Sequence, residues 1–279
     1  MRGLTLGWAS DSVPRMPGST SARIEARLRR LFARPAAAAS PIDQAMNLPL
    51  PPNRLRAGGV HFRADRDFLA SAVAEADRVV RDARSTRPFS LLDIGCGAGR
   101  LAYGLIACGS PIARYEGIDV MPEPIAWCKA TISGRYPTFR FATIDVYNER
   151  YNPDSSRQAA GTSLPFEDGS FDVIYAYSVF SHMLTDDVRA YLGEVTRVMA
   201  SDGVAIVTAF VEDGVPDEAV NPPGYQGLEW RGALHCVRFS REHFEAMAGA
   251  AGLQLTGFEH GGETDGQSRI LFGRAVSSG

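Results

Sequence analysis

An apolar strand that runs directly into a glycine-rich turn is the feature that most constrains the fold of this chain. The residues are Leu91-Leu92-Asp93-Ile94-Gly95-Cys96-Gly97-Ala98-Gly99-Arg100. Glycine adopts positive φ without strain and, because it lacks a Cβ, lets a ligand approach the main chain closely. A helix is expected to begin near Ala98, so its unpaired N–H groups would face the same space. The pattern predicts a nucleotide-type binding turn between a strand and a helix.

The spacing of the glycines separates two classes of ligand. A dinucleotide-binding turn reads G-x-G-x-x-G, with a pyrophosphate over the helix N-terminus. Here Arg100 occupies the third glycine position, and the pattern is G-x-G-x-G. Asp93, two residues before the first glycine, would repel a pyrophosphate. A dinucleotide-dependent oxidoreductase is therefore the disfavoured alternative.

The segment Asp93 to Gly99 resembles motif I of the class I S-adenosylmethionine-dependent methyltransferases. In that family the glycines lie beneath the methionine part of the cofactor, and the acid helps to fix its amino group, directly or through water. The resemblance therefore implies that S-adenosylmethionine is the cofactor. It places the following residues near the cofactor: Asp93, Gly95, Cys96, Gly97 and Gly99.

Strands and helices alternate from Phe89 onward, which predicts an α/β fold with a doubly wound, Rossmann-like sheet in three α/β/α layers. The last two strands have no room for a crossover helix between them, so a C-terminal antiparallel hairpin should complete a mostly parallel sheet. The predicted strands are 89–94, 114–119, 139–144, 171–177, 203–210, 253–260 and 269–274, and the predicted helices are 99–107, 123–133, 186–199 and 241–251.

Three regions are predicted along the chain. Residues 1–20 read as a disordered or loosely packed tail. Residues 21–87 read as a helical and proline-rich lid, with helices over 21–32 and 65–84. Residues 88–279 form the predicted methyltransferase domain.

Composition predicts a globular cytoplasmic protein. Hydrophobic residues make up 45% of the chain, yet no run of about 18 apolar residues indicates a membrane span. The N-terminus has no apolar stretch typical of a secretory signal. Four widely separated cysteines indicate reduced thiols, with neither a zinc site nor a disulfide framework, and no metal is expected.

Charge is unevenly distributed. Residues 1–87 carry a net charge of +7 and residues 88–279 a net charge of −10. A basic N-terminal segment would suit an anionic substrate. The alternative is that arginine is simply the default basic residue, since Lys129 is the one lysine beside 28 arginines.

Carboxylates follow the next two predicted strands. Asp119 ends the second strand, where a carboxylate accepts both ribose hydroxyls of a nucleoside cofactor; a helix N-cap is its alternative role. Val120 follows it. After the third strand, the resemblance implies that Asp145 and Val146 lie against the adenine. The insertion 147–162 departs from the family pattern and could instead border the substrate pocket.

The segment from Leu164-Pro165-Phe166 to Ser178 resembles the family's fourth motif, in which main-chain groups reach the carboxylate and the sulfur of the cofactor. The resemblance implies that Tyr177, Ser178 and Val179 contact the cofactor. Tyr175 shares a face with Tyr177 by the period-two geometry of a strand. An ordinary place in the core is the alternative for both tyrosines.

His182 is the candidate catalytic residue. A hydroxyl acceptor needs a base as it attacks a methyl group, and histidine suits that role near neutral pH. A structural hydrogen bond at the strand-to-helix turn is the alternative for His182, and His61 and His235 are alternative bases. Elements outside the sheet should roof the acceptor pocket with these candidate substrate-binding residues: His61, Phe62, Tyr147, Tyr151, Tyr225 and Trp230.

The resemblance implies a methyltransferase that acts on a small molecule, and His182 favours transfer to oxygen. A sugar, a lipid or a natural-product intermediate is the expected acceptor. Two alternatives stay open: an RNA methyltransferase, suggested by the basic N-terminal segment, and a non-catalytic S-adenosylmethionine-binding protein. No nucleic-acid partner is expected, and no pattern indicates an oligomeric state.

Overall fold

The computed structural model describes residues 48–57, 62–263 and 265–275 of the chain, and within them a nine-stranded sheet forms the centre of the fold. Helices pack on both faces of this sheet, as the alternating pattern predicted. The elements are α1 (Asp65–Asp82), β1 (Phe89–Ile94), α2 (Arg100–Cys108), β2 (Ile112–Asp119), α3 (Pro122–Cys128), β3 (Phe139–Thr143), β4 (Phe171–Ala176), α4 (Thr185–Val198), β5 (Met199–Glu212), β6 (Glu218–Val220), β7 (Val237–Ser240), α5 (Arg241–Ala250), β8 (Leu253–Glu259) and β9 (Ser268–Arg274).

The first five strands are parallel and lie in the order β3-β2-β1-β4-β5. The order therefore reverses between β1 and β4. In open α/β sheets a crevice forms outside the carboxyl ends of the strands at such a reversal, and ligands bind there. The fold thus directs the functional site to the ends of β1, β2 and β4.

The long strand β5 has two successive partners on its far side. Residues Ala205 to Ala209 pair antiparallel with β9, which pairs in turn with β8. Residues Phe210 to Glu212 extend past this hairpin and pair in parallel with β7. The predicted Rossmann-like sheet with its C-terminal antiparallel hairpin is confirmed.

Ion pairs hold helix α1 against β9 and the turn between β8 and β9. Arg269 Nη1 lies 2.7 Å from Glu75 Oε1, and Arg269 Nη2 lies 2.9 Å from Asp82 Oδ2. Arg78 Nη1 lies 2.8 Å from Glu263 Oε1. Buried charges require such partners. Helix α1, which belongs to the predicted lid region, is therefore held against the body of the fold.

From residue 65 onward, the structure contains the predicted helices and strands, and their ends lie within two residues of the predicted ends. Three features differ from the prediction. Strand β5 runs past both predicted ends, from Met199 to Glu212. Strands β6 and β7 were not predicted, because both are short and β6 is not buried on either face. The predicted second helix ends its α-helical part at Cys128 and continues as a π-helical turn over Lys129–Ser133.

The predicted tail over 1–20 and the predicted helix over 21–32 lie outside the described residues. Within the part of the chain that the structure describes, no helix is long and apolar enough to cross a membrane.

Candidate active site

The glycine turn after β1 has the geometry that its sequence predicts. Gly95, Gly97 and Gly99 have φ values of +71°, +52° and +82°. The main-chain N–H groups of Gly95 and Cys96 both donate to the oxygen of Ile118 in β2, at 2.8 and 3.0 Å. Helix α2 then begins at Arg100. The turn is therefore fixed by the neighbouring strand and leads straight into the helix.

The first two glycines of this turn meet different surroundings. A Cβ on Gly95 would lie 2.5 Å from Val179 Cγ2, so the chain after β4 packs directly on this position. A Cβ on Gly97 would meet nothing within 4 Å. The open side of the turn is thus at Gly97, which leaves room for a ligand against the main chain.

Asp119 joins the end of β2 to this turn. Its carboxylate is buried, with Oδ2 accepting from Gly97 N at 2.8 Å and Oδ1 accepting from Met121 N at 2.9 Å. Burial raises the pKa of Asp119, and the main-chain donors lower it. Each carboxylate oxygen keeps a further lone pair for a ligand. The N-cap of α3 is Met121, so Asp119 does not cap that helix.

Asp93 is buried behind the turn. The hydroxyl of Tyr115 donates to its Oδ2 atom, and only 2% of the residue is exposed. Burial raises the pKa of Asp93 to about 7, while the Tyr115 bond and the charge of Arg100 oppose that rise. Cys96 is buried beside it, and burial raises the pKa of its thiol well above the usual range.

A closed polar network fixes the turn after β4. Ser178 has a φ of +55°, which is strained for a residue with a Cβ. Its main-chain N–H donates to Thr208 Oγ1 at 2.7 Å, and its hydroxyl accepts from Gln267 Nε2 at 2.8 Å. Thr208 Oγ1 donates to Gln267 Oε1 at 2.9 Å. Sequence reasoning missed Thr208 and Gln267, because neither belongs to a motif.

His182 lies in a short 3₁₀ turn that follows β4. Its Nδ1 atom is 2.9 Å from the main-chain oxygen of Leu234, and its own main-chain oxygen accepts from Asn148 Nδ2 at 2.9 Å. Burial lowers the pKa of His182 to about 4, although the bond to Leu234 opposes that change. The histidine is therefore neutral at neutral pH. A carbonyl only accepts, so Nδ1 carries the proton and Nε2 holds a lone pair.

The insertion after β3 and the loop between β6 and β7 meet at His182. Tyr151 of the insertion contacts the imidazole edge-on, with ring centroids 5.3 Å apart, and 37% of Tyr151 is exposed. Arg150 Nη1 donates to the main-chain oxygen of Ala233 at 3.3 Å. Tyr147 opens the insertion, and its N–H donates to the oxygen of Arg157. The insertion and the loop thus both contact the 3₁₀ turn that follows β4.

Tyr225 and Trp230 are held against the end of β5. Both rings pack against Phe210, at centroid distances of 5.6 and 5.4 Å. The Tyr225 hydroxyl donates to Glu212 Oε1 at 3.1 Å, and Trp230 Nε1 donates to the oxygen of Tyr225 at 3.0 Å. These contacts fix the path of the loop that reaches His182.

The remaining candidate residues lie around the crevice. Asp145 is exposed and Val146 is buried, and Asn152 Nδ2 lies 3.4 Å from Asp145 Oδ1. Val120 packs against the core on the same side of the sheet as Val146. Phe62 is buried, whereas His61 lies outside the described residues. Across the described ranges, no group of three or more His, Cys, Asp or Glu residues could hold a metal ion.

Comparison with known proteins shows that the chain is similar to methyltransferases. Residues 92–207 match the family model described as "Methyltransferase domain". The chain is 30% identical over 145 residues to the "Uncharacterized methyltransferase YcgJ" of Bacillus subtilis, a match that covers 51% of this chain and half of that protein. It is 26% identical over 179 residues to the "O-methyltransferase rstn1" of Aspergillus nomiae, covering 61% of this chain and 72% of that protein.

Two further matches cover more of the chain. The "Ubiquinone/menaquinone biosynthesis C-methyltransferase UbiE" of Methylobacterium nodulans is 28% identical over 200 residues, covering 70% of this chain and 68% of that protein. Among solved structures, the 1,6-didemethyltoxoflavin-N1-methyltransferase of Burkholderia thailandensis, with S-adenosylhomocysteine bound, superposes with a TM-score of 0.51. That match is 17% identical and covers 74% of this chain and 79% of the other, which shows a shared fold.

Proposed function

Because the chain belongs to the class I S-adenosylmethionine-dependent methyltransferases, we propose that it methylates an oxygen atom of a small-molecule acceptor. S-adenosylmethionine is its cofactor. The observation that carries the proposal is a series of contacts at the carboxyl ends of β1, β2 and β4. Gly97 N donates to the buried carboxylate of Asp119, and a Cβ on Gly95 would meet Val179. The main-chain oxygen of Val179 in turn accepts from His182 N at 3.0 Å.

The cofactor fits the residues at the ends of β1 and β2. In the proposed arrangement the methionine part lies over Gly95, Gly97 and Gly99, and the ribose hydroxyls donate to Asp119. The open space at Gly97 and the spare lone pairs of Asp119 support this arrangement. Further proposed contacts are Asp93 and Cys96 behind the turn, Val120, Asp145 and Val146 near the adenine, and Tyr177, Ser178 and Val179 after β4.

When bound, S-adenosylmethionine supplies an electrophilic methyl group on a sulfonium. The chain then has to align the acceptor oxygen with that group, and positioning of this kind supplies about 7 to 11 kcal/mol. We propose that His182 Nε2 accepts the proton of the acceptor hydroxyl. The Leu234 oxygen at Nδ1 supports that role, because it holds the tautomer whose Nε2 carries the free lone pair and stabilises the imidazolium that forms.

The aromatic residues of the insertion and of the neighbouring loops suggest the class of acceptor. Tyr147 and Tyr151 belong to the insertion, and the ring of Tyr151 contacts His182. Phe62 packs against Arg100 at the start of α2, and Tyr225 and Trp230 pack against each other in the loop between β6 and β7. Aromatic walls favour a flat or apolar molecule, such as a sugar derivative, a lipid or a natural-product intermediate that carries a hydroxyl. One relative is named for O-methylation and another for C-methylation, so the acceptor atom is the finer part of the proposal.

We place the reaction in the cytoplasm. All four cysteines are buried, and none of them forms a disulfide in the part of the chain that the structure describes, which is typical of proteins from a reducing compartment.

The full chain should be incubated with S-adenosylmethionine and a panel of phenols, quinols, hydroxylated sugars and hydroxylated lipids. Mass spectrometry then measures release of S-adenosylhomocysteine and the atom that gains the methyl group. An O-methylated product supports the proposal, and a C- or N-methylated product overturns its oxygen assignment. Methylation of RNA alone would favour an RNA methyltransferase. Cofactor binding without turnover on any acceptor would favour a non-catalytic binding protein.

A further inference from the structure

Gln267, directly before β9, is buried, and its side-chain amide joins three parts of the fold. Its Nε2 atom donates to Asp265 Oδ2 at 2.7 Å and to Ser178 Oγ at 2.8 Å. Its Oε1 atom accepts from Thr208 Oγ1 at 2.9 Å. A carboxylate only accepts hydrogen bonds, so Asp265 determines which end of the amide faces Ser178. The amide oxygen and both amide N–H groups therefore have partners.

Thr208 on β5 connects this amide to the main chain after β4. The N–H of Ser178 donates to Thr208 Oγ1 at 2.7 Å, while the Thr208 hydroxyl donates its own proton to Gln267. Gln267 and Thr208 together therefore hold both the side chain and the main chain of Ser178. The φ of Ser178 is +55°, in the left-handed region that a residue with a Cβ seldom adopts. These hydrogen bonds offset the strain of that conformation.

The conformation of Ser178 determines where the residues that follow it lie. Val179 comes next, and a Cβ on Gly95 would lie 2.5 Å from its Cγ2 atom, so the turn after β4 packs against the glycine turn. Ser178 Oγ lies 3.1 Å from the Oγ atom of Ser181, which is fully buried. The main-chain oxygen of Val179 accepts from His182 N at 3.0 Å. A change of φ at Ser178 would therefore move His182 relative to the glycine turn.

We propose that Gln267 is a positioning residue for methyl transfer. It holds Ser178 at positive φ and so sets the distance between His182 and the glycine turn, over which the cofactor is proposed to lie. Methyl transfer needs the acceptor atom aligned with the methyl carbon, so a displacement of one side of the site lowers the rate. The inference rests on the proposed function, because it assumes that cofactor and acceptor meet between these two turns.

A double-mutant cycle tests the link between Gln267 and the φ of Ser178. Gln267→Met keeps the approximate length of the side chain and removes its hydrogen bonds. On an acceptor identified by the panel, it should lower kcat about 10- to 100-fold, the scale expected when reacting groups are slightly misplaced. The KM for S-adenosylmethionine should change less than about threefold, because the hydrogen bonds of Gln267 reach neither the glycine turn nor β2.

Ser178→Gly supplies the second arm of the cycle. Glycine adopts positive φ without strain, so a glycine at this position no longer needs Gln267 to hold the turn. In the Ser178→Gly background, Gln267→Met should therefore lower kcat less than about threefold. A contribution of Gln267 that is independent of Ser178 would give the same loss of kcat in both backgrounds.

Ser268→Ala is the matched control at the next residue of the chain. Ser268 is fully buried, and its hydroxyl donates to the main-chain oxygen of Val211 at 3.0 Å, so this substitution also removes a buried hydrogen bond beside β5. It should lower the free energy of unfolding, measured in urea, and leave kcat unchanged at a temperature at which every variant is folded. If Gln267→Met does not fold, Thr208→Val goes through the same cycle.

The outcomes distinguish this inference from the proposed function. Equal loss of kcat for Gln267→Met in both backgrounds, or no loss in either, would overturn the positioning role. So would a loss in Ser268→Ala as large as the loss in Gln267→Met. Failure of the unchanged chain to methylate any acceptor would instead overturn the proposed function. A carbon- or nitrogen-methylated product would overturn only the oxygen assignment, because the cycle can be measured on any acceptor.

Discussion

The Nδ1 atom of His182 lies 2.9 Å from the main-chain oxygen of Leu234, and this contact fixes which ring nitrogen carries the proton. Leu234 has a φ of +43°, which is strained for a leucine. The loop between β6 and β7 thus adopts an unfavourable conformation at the residue whose oxygen holds the histidine. Strain of this kind persists where the surrounding structure determines the backbone, often at functional sites.

His182→Gln should lower kcat about 100- to 10,000-fold if Nε2 is the base, and should leave S-adenosylmethionine affinity unchanged. The pKa of about 4 sets the pH dependence, because the basic form exists above that value and is lost as the pH falls through it. The rate should therefore stay flat between pH 6 and pH 8. Steady-state kinetics on an acceptor identified by the panel checks both points.

His243→Gln is the control for that experiment. His243 lies in α5, bonded to Thr185 at 3.2 Å, and should leave turnover unchanged. An equal loss of turnover in both variants, or full activity in His182→Gln, would show that His182 is not the base.

Replacing Asp119 by alanine should weaken the binding of S-adenosylhomocysteine far more than replacing Asp145 by alanine. Asp119 is buried and is oriented by two main-chain N–H groups, so the proposed bonds to the ribose would be charge-assisted and shielded from water. Asp145 is exposed. We expect Asp119→Ala to weaken S-adenosylhomocysteine at least tenfold, and Asp145→Ala to weaken it less than threefold. Calorimetry provides the measurement, and the reverse order would contradict the ribose assignment.

Gly97→Ala and Gly109→Ala separate backbone strain from ligand contact. Both glycines have positive φ, +52° and +60°, and a Cβ on either meets nothing within 4 Å. Each substitution should therefore cost about 1 kcal/mol of unfolding free energy. Only Gly97 faces the proposed cofactor, so only Gly97→Ala should also weaken S-adenosylhomocysteine. Urea unfolding and calorimetry on the same two variants check this, and equal affinities would show that the Gly97 face is not used.

Asp93 should make the unliganded protein less stable as the pH rises. Its pKa is near 7 in the folded state and close to 4 when unfolded, so the unfolded chain loses its proton first. Stability should fall as the pH rises from about 4 to about 7 and then level off, with a loss of about 2 to 3 kcal/mol between pH 5 and pH 8.

Asp93→Asn should abolish that slope, because asparagine does not titrate. Urea unfolding at pH 5 and pH 8 measures it, and Asp186→Asn, at an exposed carboxylate on α4, should keep the slope of the unchanged chain. An unaltered slope in Asp93→Asn would mean that Asp93 is not the group responsible.

The amino-acid sequence determined the features that depend on neighbouring residues. A strand, a glycine turn and a helix follow one another within Phe89 to Cys108, and positive φ at successive positions is a local property of glycine. The alternation of strands and helices likewise determined the parallel sheet and its hairpin, because each pattern repeats along a short stretch of chain.

Only the tertiary structure decided the chemistry around this turn. The tautomer of His182 depends on Leu234, 52 residues away, and its low pKa depends on burial. The network that holds Ser178 depends on Gln267, 89 residues away. Arg100 is visible in the sequence, but its contacts with the rings of Phe62 and Tyr177 form only once these distant residues fold against it. Burial and contacts between distant segments set protonation and hydrogen bonding, and no local pattern encodes them.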